Sequence, residues 1–313
     1  MTLTDLRYLV ALAHERHFGR AAEKCHVSQP TLSVAIKKVE EELGIQLFER
    51  SASEIKITET GRRIVAQAEK VLMEASQIRE IAAAGKDPLA GPLRLGVIFT
   101  IGPYLLPRLI PRMHQLAPRM PLIIQENYTT RLAEALKRGE LDVIVISLPF
   151  DEPGVVAQPV YDEPFRVVMP ASHPWVAEQA IDPSHLAEDQ LLLLGAGNCF
   201  RDQVLEVCPS CRNVGGLQRT LEGSSLETIR QMVASGLGVT VLPSSAADDN
   251  TMRSPLVEIR PFAPPEPVRR VALAWRVTYP RSGAIDILRA AIMDSALPGV
   301  RPVGRAPQRE TVA

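Results

Sequence analysis

Apolar residues recur at helical spacing through the first part of the chain. A segment from Leu3 to Ala13 predicts a first helix, whose apolar face consists of Leu6, Leu9, Val10 and Ala13. The next segment, 18–25, is short and rich in small residues, which predicts a second helix packed closely against a neighbour.

A third helix is predicted after a brief break at His26 and Val27. Ser28 is a good N-cap, Pro30 suits the first helical turn, and Gly44 ends the helix. Its apolar stripe is Leu32, Ile36, Val39 and Leu43. A short helix, a tight turn and a capped amphipathic helix are the outline of a helix-turn-helix.

The polar face of the third helix has side chains suited to a DNA major groove. Gln, Ser and Thr read base edges, a small apolar group contacts a thymine methyl, and Lys meets phosphates. An ordinary solvated helix face has the same polarity, so the face alone leaves both interpretations open. The residues in question are Gln29, Thr31, Ser33, Val34, Lys37 and Lys38.

Two short strand-like segments, 45–50 and 54–58, follow with a polar turn between them, which predicts a wing. From Glu59 to about Ala84 one helical pattern then runs without a break. Its heptad seam favours dimerisation, because a lone helix cannot bury a seam against itself; packing on its own domain is the alternative. The seam residues are Ile64, Ala68, Val71, Ala75, Ile78 and Ala82.

Beyond a Gly- and Pro-rich hinge, 85–92, apolar strands alternate with helices, which predicts an α/β domain with largely parallel sheets. The polar, Pro-rich segment 301–313 predicts a disordered tail. The predicted strands are 93–99, 122–126, 141–147, 165–169, 191–194, 239–242 and 271–275, and the predicted helices are 105–115, 130–139, 224–234 and 284–296.

Composition narrows the class of protein. The 35 basic and 36 acidic residues give a net charge of −1, which excludes a wholly basic nucleic-acid binder but not a local basic patch. We expect a cytoplasmic protein without membrane partners, because no signal peptide and no apolar run of about 20 residues are present. The nucleotide-binding, hydrolase and zinc-protease motifs are missing, so neither an enzyme nor a cofactor is predicted.

The N-terminal residues resemble the LysR-type transcriptional regulators. The matching positions are Ala21, Ala22, Ser28, Gln29, Pro30, Ser33, Leu43, Gly44, Leu47, Phe48, Arg50 and 58–61. The resemblance implies that the third helix enters a major groove of promoter DNA, with Ser28, Pro30 and Arg50 among the contacting residues. It also implies RNA polymerase as a partner, a homodimer through the long helix and a homotetramer through the sensor domains.

The same resemblance implies a two-lobed sensor like the periplasmic binding proteins, with crossings near Asp162 and Pro267. The expected organisation is a winged helix-turn-helix (1–58), a linker helix (59–86), a hinge (87–92), a sensor (93–300) and the tail. Within the sensor, lobe I is 93–162 plus 268–300 and lobe II is 163–267.

Four cysteines in a cytoplasmic chain favour catalytic, metal-binding or redox roles over a structural disulfide framework. Cys199 and Cys208 lie nine positions apart in a segment that resembles the peroxide-sensing branch of the LysR family. Cys25 is expected in the core of the N-terminal domain. Cys211 forms a Cys-x-x-Cys with Cys208, but no further ligands at zinc-site spacing are present, so no metal is predicted. Further matches to that branch are 100–107, Thr129, 173–175, 201–203, 225–228 and, more weakly, 266–267.

Peroxide sensing needs a thiolate, which attacks the O–O bond and becomes a sulfenic acid. Cys199 is the expected nucleophile, and Arg201 and a helix N-terminus would favour its thiolate. The remaining expected site residues are Thr100 and Thr129 as hydroxyl donors, Asp202 as proton relay, and Arg269, the nearest match to a basic residue of the family. Asn198 stands where the family usually has His, but its amide can still donate a hydrogen bond.

Cys208 is the expected resolving thiol. If 199–208 were helical, the two Cα atoms would lie about 13 Å apart at roughly 1.5 Å per residue. A disulfide needs about 4.4–6.8 Å, so oxidation would have to unwind the segment. Cys211 is a competing thiol. The alternatives are two inert buried cysteines and a LysR-type regulator driven by a small metabolite bound between the lobes.

Overall fold

In the computed structural model, the described residues are 1–50, 55–84, 87, 89–213, 222–249 and 254–303. The chain divides into two compact units, Met1–Lys86 and Asp87–Ala313. Over the described ranges, no helix is long and apolar enough to cross a membrane.

The first unit is a winged helix-turn-helix. It contains α1 (Leu3–Glu15), α2 (Phe18–Lys24), α3 (Gln29–Leu43) and the antiparallel strands β1 (Phe48–Arg50) and β2 (Ile55–Ile57). These elements confirm the predicted order, and Leu9, Leu12, Leu32 and Ile36 are fully buried in their shared core. Leu43, which the pattern assigned to the apolar stripe, is 37% exposed because α3 ends there at Gly44.

Each of the three helices α1 to α3 in this winged helix-turn-helix, called the head below, begins with a side-chain cap. Thr2 and Asp5 form a reciprocal capping box on α1, His17 accepts from two backbone N–H groups of α2, and Ser28 accepts from Thr31 N on α3. Such caps satisfy the backbone donors that have no partner inside a helix. Local sequence therefore specifies where these helices start.

The linker helix α4 (Glu59–Ala84) has two different halves. Val65 and Ala68 are buried with the head core, and Ile64 packs against it. Farther along, Val71 is 39% and Ile78 is 69% exposed. The first half of the seam thus packs on its own domain, which was the alternative to dimerisation. The second half of α4 has exposed apolar side chains.

Lobe I of the sensor contains a sheet with helices packed against it. Its elements are β3 (Leu93–Ile98), α5 (Gly102–Leu116), β4 (Leu122–Asn127), α6 (Thr129–Lys137), β5 (Val143–Ser147) and, from the end of the chain, α10 (Ser282–Met293). Strand β3 pairs in parallel with β4 and β5.

One long strand crosses between the lobes. Strand β6 (Val155–Pro170) pairs through Val155–Pro164 with β11 (Val268–Arg276) in lobe I and through Phe165–Val168 with lobe II. The two cores separate at the same place, since Tyr161 belongs to one and Phe165 to the other. The expectation of largely parallel sheets is wrong: β6 and β11 pair antiparallel with their neighbours, which makes the sheets mixed.

Lobe II is built around a second set of strands. It contains β7 (Leu191–Leu194), α7 (Cys199–Val207), β8 (Glu222–Gly223), α8 (Leu226–Ala234), β9 (Val239–Pro243), α9 (Ser244–Ala247) and β10 (Val257–Pro261), with 3-10 turns at Pro174–Ala177, Pro183–Ala187 and Pro209–Asn213. The last strand, β12 (Arg301–Pro302), pairs with β6, so the predicted tail starts too early. Residues 304–313 of that tail lie outside the described residues.

Candidate functional site

Cys199 is the first residue of α7. Strand β7 ends at Leu194, and the connecting loop turns at Gly197, whose φ of 93° lies in the left-handed region that glycine tolerates. Asn198 is the N-cap residue, and its amide donates to the Gly195 carbonyl (3.1 Å) instead of capping the helix. The thiol of Cys199 is therefore at the positive end of the helix dipole, and it is half-buried.

A small cavity lies against the Cys199 thiol. The hydroxyl of Thr129, at the start of α6, donates to the sulfur across 3.7 Å. The cavity leaves about 10 Å³ for the centre of a water-sized molecule, which is room for about one such molecule. Thr100, Thr129, Asn198 and Cys199, all of them predicted site residues, share this lining with Phe99, Tyr128 and three neighbours, Ile98, Asn127 and Gly197.

Thr100 accepts hydrogen bonds from a buried ion pair, which fixes its position. Arg269 donates to both the hydroxyl and the carbonyl oxygen of Thr100, each at 2.9 Å. Its Nε also donates to Glu163 at 2.6 Å, and both of these charged side chains are fully buried. Glu163 in turn accepts from the Ser245 backbone N–H. Arg269 thus reaches the site through Thr100, and it is not among the residues that line the cavity.

Helix α7 connects the lobes by tertiary contacts. Phe200 (2% exposed) and Val204 (1% exposed) are buried in the core of lobe II. Gln203 instead donates to the Ser147 hydroxyl (2.9 Å) and the Leu148 carbonyl (3.2 Å) of lobe I. Unwinding α7 would therefore remove core contacts in one lobe and hydrogen bonds to the other.

Two predicted site residues point elsewhere in this structure. Arg201 donates to the Leu194 carbonyl (2.6 Å) and lines a different small cavity, in the interior of lobe II. Asp202 is exposed on the first turn of α7. Neither is among the described residues that line the Cys199 cavity, because successive helical residues differ in direction by about 100° and, of these three residues, Cys199 alone is directed at the cavity.

The structure joins Cys208 to Cys211, not to Cys199. Their Cα atoms are 5.4 Å apart, whereas Cys199 and Cys25 are free thiols. The expected Cys199–Cys208 pair is absent here because α7 is helical as far as Val207, which separates its two ends. Cys25 lies against the head core as expected, and burial raises the pKa of its thiol despite nearby Lys24 and Arg7.

The predicted DNA-reading face is open to solvent. Gln29, Thr31, Lys37 and Lys38 are exposed on α3, and Ser33 is half-buried. Ser28 and Pro30, at the start of the helix, are exposed as well. Lys37 forms an exposed ion pair with Glu41 at 3.5 Å. The side chain of Arg50 lies outside the described residues.

The sequence analysis did not single out three side chains that hold α7 or the Thr100 segment in place. Glu163 lies in a mostly apolar strand, where its identity as the Arg269 partner has no local signal. Phe200 looks like any core residue, and Gln203 was noted only as part of a match to the family. In the described part of the chain, no group of His, Cys, Asp or Glu side chains is arranged to hold a metal ion.

Comparison with known proteins gives matches over almost the whole chain. Residues 3–62 match the bacterial regulatory helix-turn-helix protein, lysR family, and residues 86–296 match the LysR substrate binding domain. The DNA-binding transcriptional dual regulator OxyR of Escherichia coli K12 is 39% identical over 293 residues, which cover 93% of this chain and 95% of that protein.

Two solved structures extend the comparison. A full-length OxyR variant from Pseudomonas aeruginosa is 54% identical, with a TM-score of 0.78 and coverage of 98% of this chain and 99% of that one. A cysteine variant of OxyR from Corynebacterium glutamicum, solved with H2O2 bound, is 33% identical, with a TM-score of 0.62 and coverage of 94% and 92%.

Proposed function

The chain belongs to the LysR family of transcriptional regulators, and we propose that it is a peroxide-responsive regulator switched by oxidation of Cys199. The observation that carries the proposal is the small cavity at the Cys199 sulfur, which Thr100, Thr129 and Asn198 help to line. A space for about one water-sized molecule suits hydrogen peroxide and is too small for an ordinary metabolite, whose pockets measure hundreds of Å³. This argument applies to the Cys199 cavity only, because a separate cleft of about 830 Å³, lined by Leu148 of lobe I and by Phe165 and Gln203 of lobe II, has the size of a metabolite site.

The first chemical step is attack of the Cys199 thiolate on peroxide. The sulfur displaces hydroxide from the O–O bond and becomes a sulfenic acid. Thr129 already donates to the sulfur, and the Thr100 oxygen accepts from Arg269, which leaves the Thr100 proton to donate into the cavity. These hydroxyls would hold the peroxide oxygens and stabilise the charge on the departing one.

The second step is resolution by a free Cys208 thiol, which attacks the sulfenic sulfur and releases water. Because intact α7 keeps the two cysteines about 13 Å apart, the helix must unwind before the disulfide forms. Phe200 and Val204 would then leave the core of lobe II, and Gln203 would lose its hydrogen bonds to lobe I. Formation of a single disulfide thereby rearranges the sensor.

A promoter-output assay tests this proposal. We expect reporter expression to rise with peroxide in cells with the parent protein and to stay flat with Cys199→Ser, which lacks the nucleophile. Cys25→Ser is the matched control: it removes the other free thiol and should respond like the parent. A peroxide response in Cys199→Ser equal to that of the parent would refute the redox proposal in favour of a metabolite effector.

The regulator acts on promoter DNA through α3. On this proposal Gln29 and Ser33 read base edges, whereas Lys37 and Lys38 meet phosphates. Gln29→Ala should relax sequence preference. Lys37→Ala should weaken binding to all sequences and reduce the salt slope by about one. Footprints of Gln29→Ala and Ser33→Ala that match the parent in affinity and specificity would overturn the groove assignment.

The oligomer follows from the second half of α4. Its exposed Val71 and Ile78 would pack against the same residues of a second copy, and the sensor domains would join two dimers into a tetramer. We also propose a cytoplasmic protein that acts with RNA polymerase, without catalytic turnover of its own. Ile78→Glu should dissociate the dimer in light scattering, because it would bury a charge; a monomeric parent protein would refute the assignment.

A further inference from the structure

Cys208 and Cys211 are joined by a short turn that holds their sulfurs together. Helix α7 ends at Val207, and the chain continues into the 3-10 turn Pro209–Asn213. Cys211 N donates to the Cys208 carbonyl at 3.0 Å, and the two Cα atoms are 5.4 Å apart, within the range for a disulfide. This pair therefore forms without any change in α7.

The two disulfides available to Cys208 make opposite demands on the fold. Bonding to Cys199 requires α7 to unwind, which exposes Phe200 and Val204. Bonding to Cys211 leaves these side chains 2% and 1% exposed and keeps the Gln203 hydrogen bonds to lobe I. Both Cys208 (2% exposed) and Cys211 (6% exposed) are then buried. The native packing consequently favours the Cys208–Cys211 disulfide.

We propose that Cys211 is a second resolving thiol, which ends the peroxide signal by moving the disulfide from Cys199–Cys208 to Cys208–Cys211. The proposal rests on the proposed function, because peroxide is the oxidant that makes the first disulfide. Cys211 loses its proton to solvent, and its thiolate attacks the Cys208 sulfur. The Cys208–Cys211 bond forms, the Cys199–Cys208 bond breaks, and the electron pair leaves on the Cys199 sulfur.

The exchange needs no further oxidant or reductant, since one disulfide replaces another. Unwinding of α7 brings the buried Cys211 into reach, and release of Cys199 lets the helix refold. The sensor then returns to the conformation with α7 folded, which it has before peroxide is added, although Cys208 and Cys211 remain oxidised. A second peroxide would convert Cys199 to a sulfenic acid without a resolving partner, so the full response returns only after a reductant opens the Cys208–Cys211 bond.

Time-resolved disulfide mapping tests this assignment. The fully reduced full-length protein receives one equivalent of H2O2 and is quenched with an alkylating agent at intervals, and the disulfide peptides are quantified. In the parent, Cys199–Cys208 should rise first and then give way to Cys208–Cys211 with Cys199 alkylated. In Cys211→Ser, Cys199–Cys208 should persist at least tenfold longer. Cys25→Ser is the matched control and should follow the parent.

Three results would count against the exchange. If Cys199–Cys208 persists as long in the parent as in Cys211→Ser, Cys211 is not a resolving thiol, although the proposed function stands. If Cys199–Cys211 accumulates in the parent, Cys211 resolves the sulfenic acid directly and the order is wrong. If neither protein loses its Cys199 thiol, the proposed function fails as well.

Discussion

The helices of the winged helix-turn-helix head and helix α7 of the sensor are held in place by different interactions. In the head, Thr2, His17 and Ser28 each cap a helix with a side chain. Helix α7 begins at Cys199, its N-cap residue Asn198 provides no side-chain cap, and Phe200, Val204 and Gln203 hold it in position. A helix that has a side-chain cap as well as core packing keeps its start when one packing contact changes, whereas a helix held by tertiary contacts without a cap can unwind when one of those contacts is exchanged for a bond. The difference places the switch in the sensor and the stable frame in the head.

Equivalent core truncations in the two regions should sharpen the comparison most. Phe200→Ala removes a side chain that docks α7 and should cost about 3–5 kcal/mol of local stability. We expect faster Cys199–Cys208 formation with peroxide, measured by quenched alkylation. Leu9→Ala, at a fully buried head position, is the matched variant and should lower head stability by about 2–5 kcal/mol without changing that rate. Equal rates in Phe200→Ala and the parent would contradict the docking role.

Loss of the hydrogen bonds between lobes should have a smaller effect. Gln203→Ala removes both donations to lobe I, at a cost of about 1–3 kcal/mol. Amide exchange in α7 should speed up in the reduced protein. Glu206→Ala, a change at an exposed position of the same helix, is the control and should leave exchange as in the parent. If both variants exchange alike, Gln203 does not hold α7 in place.

Removal of the N-cap residues tests the contrast directly. Ser28→Ala should destabilise the head by about 1 kcal/mol, because Thr31 N loses its acceptor. Asn198→Ala removes no side-chain cap, so α7 should lose less helix stability than α3 does. Chemical denaturation of the head and amide exchange at the two helix starts report the two costs. A larger capping loss at α7 would reverse the comparison.

The sequence predicted the helices of the head better than the surroundings of α7. The physical reason is again the difference between local and tertiary interactions. Caps and stops such as Ser28 and Gly44 act over a few residues, so the head helices could be predicted with their ends. The Cys199 cavity could be predicted in part, since Thr100 and Thr129 follow strands whose ends meet. The direction of Arg201, the Glu163–Arg269 pair and the mixed sheets depend on chain segments far apart in sequence, and no local pattern encodes them.

The smallest expected effect concerns an ion pair on the lobe I strands. A hydrogen bond from Arg270, reinforced by its charge, lowers the pKa of Asp162. A lowered pKa in the folded state means stability that is present above the unfolded value of about 3.9 and is lost as pH falls through the folded value. Because Arg270 is half-exposed, solvent screens the pair, and its contribution to the free energy of unfolding should be small. In urea denaturation, Asp162→Asn should be slightly less stable than the parent at pH 7, and the difference should shrink as pH falls below the unfolded value of about 3.9. A difference that stays constant down to acid pH would contradict this.

Hydrogen–deuterium exchange after peroxide tests the central claim most directly. In the Cys211→Ser protein, which keeps Cys208 available to Cys199, one equivalent of H2O2 should abolish amide protection across α7 and leave α3 protected as before. The same sample should contain the Cys199–Cys208 disulfide. If Cys199 is oxidised and α7 keeps its protection, then oxidation does not unwind the helix, and the account of the switch is wrong.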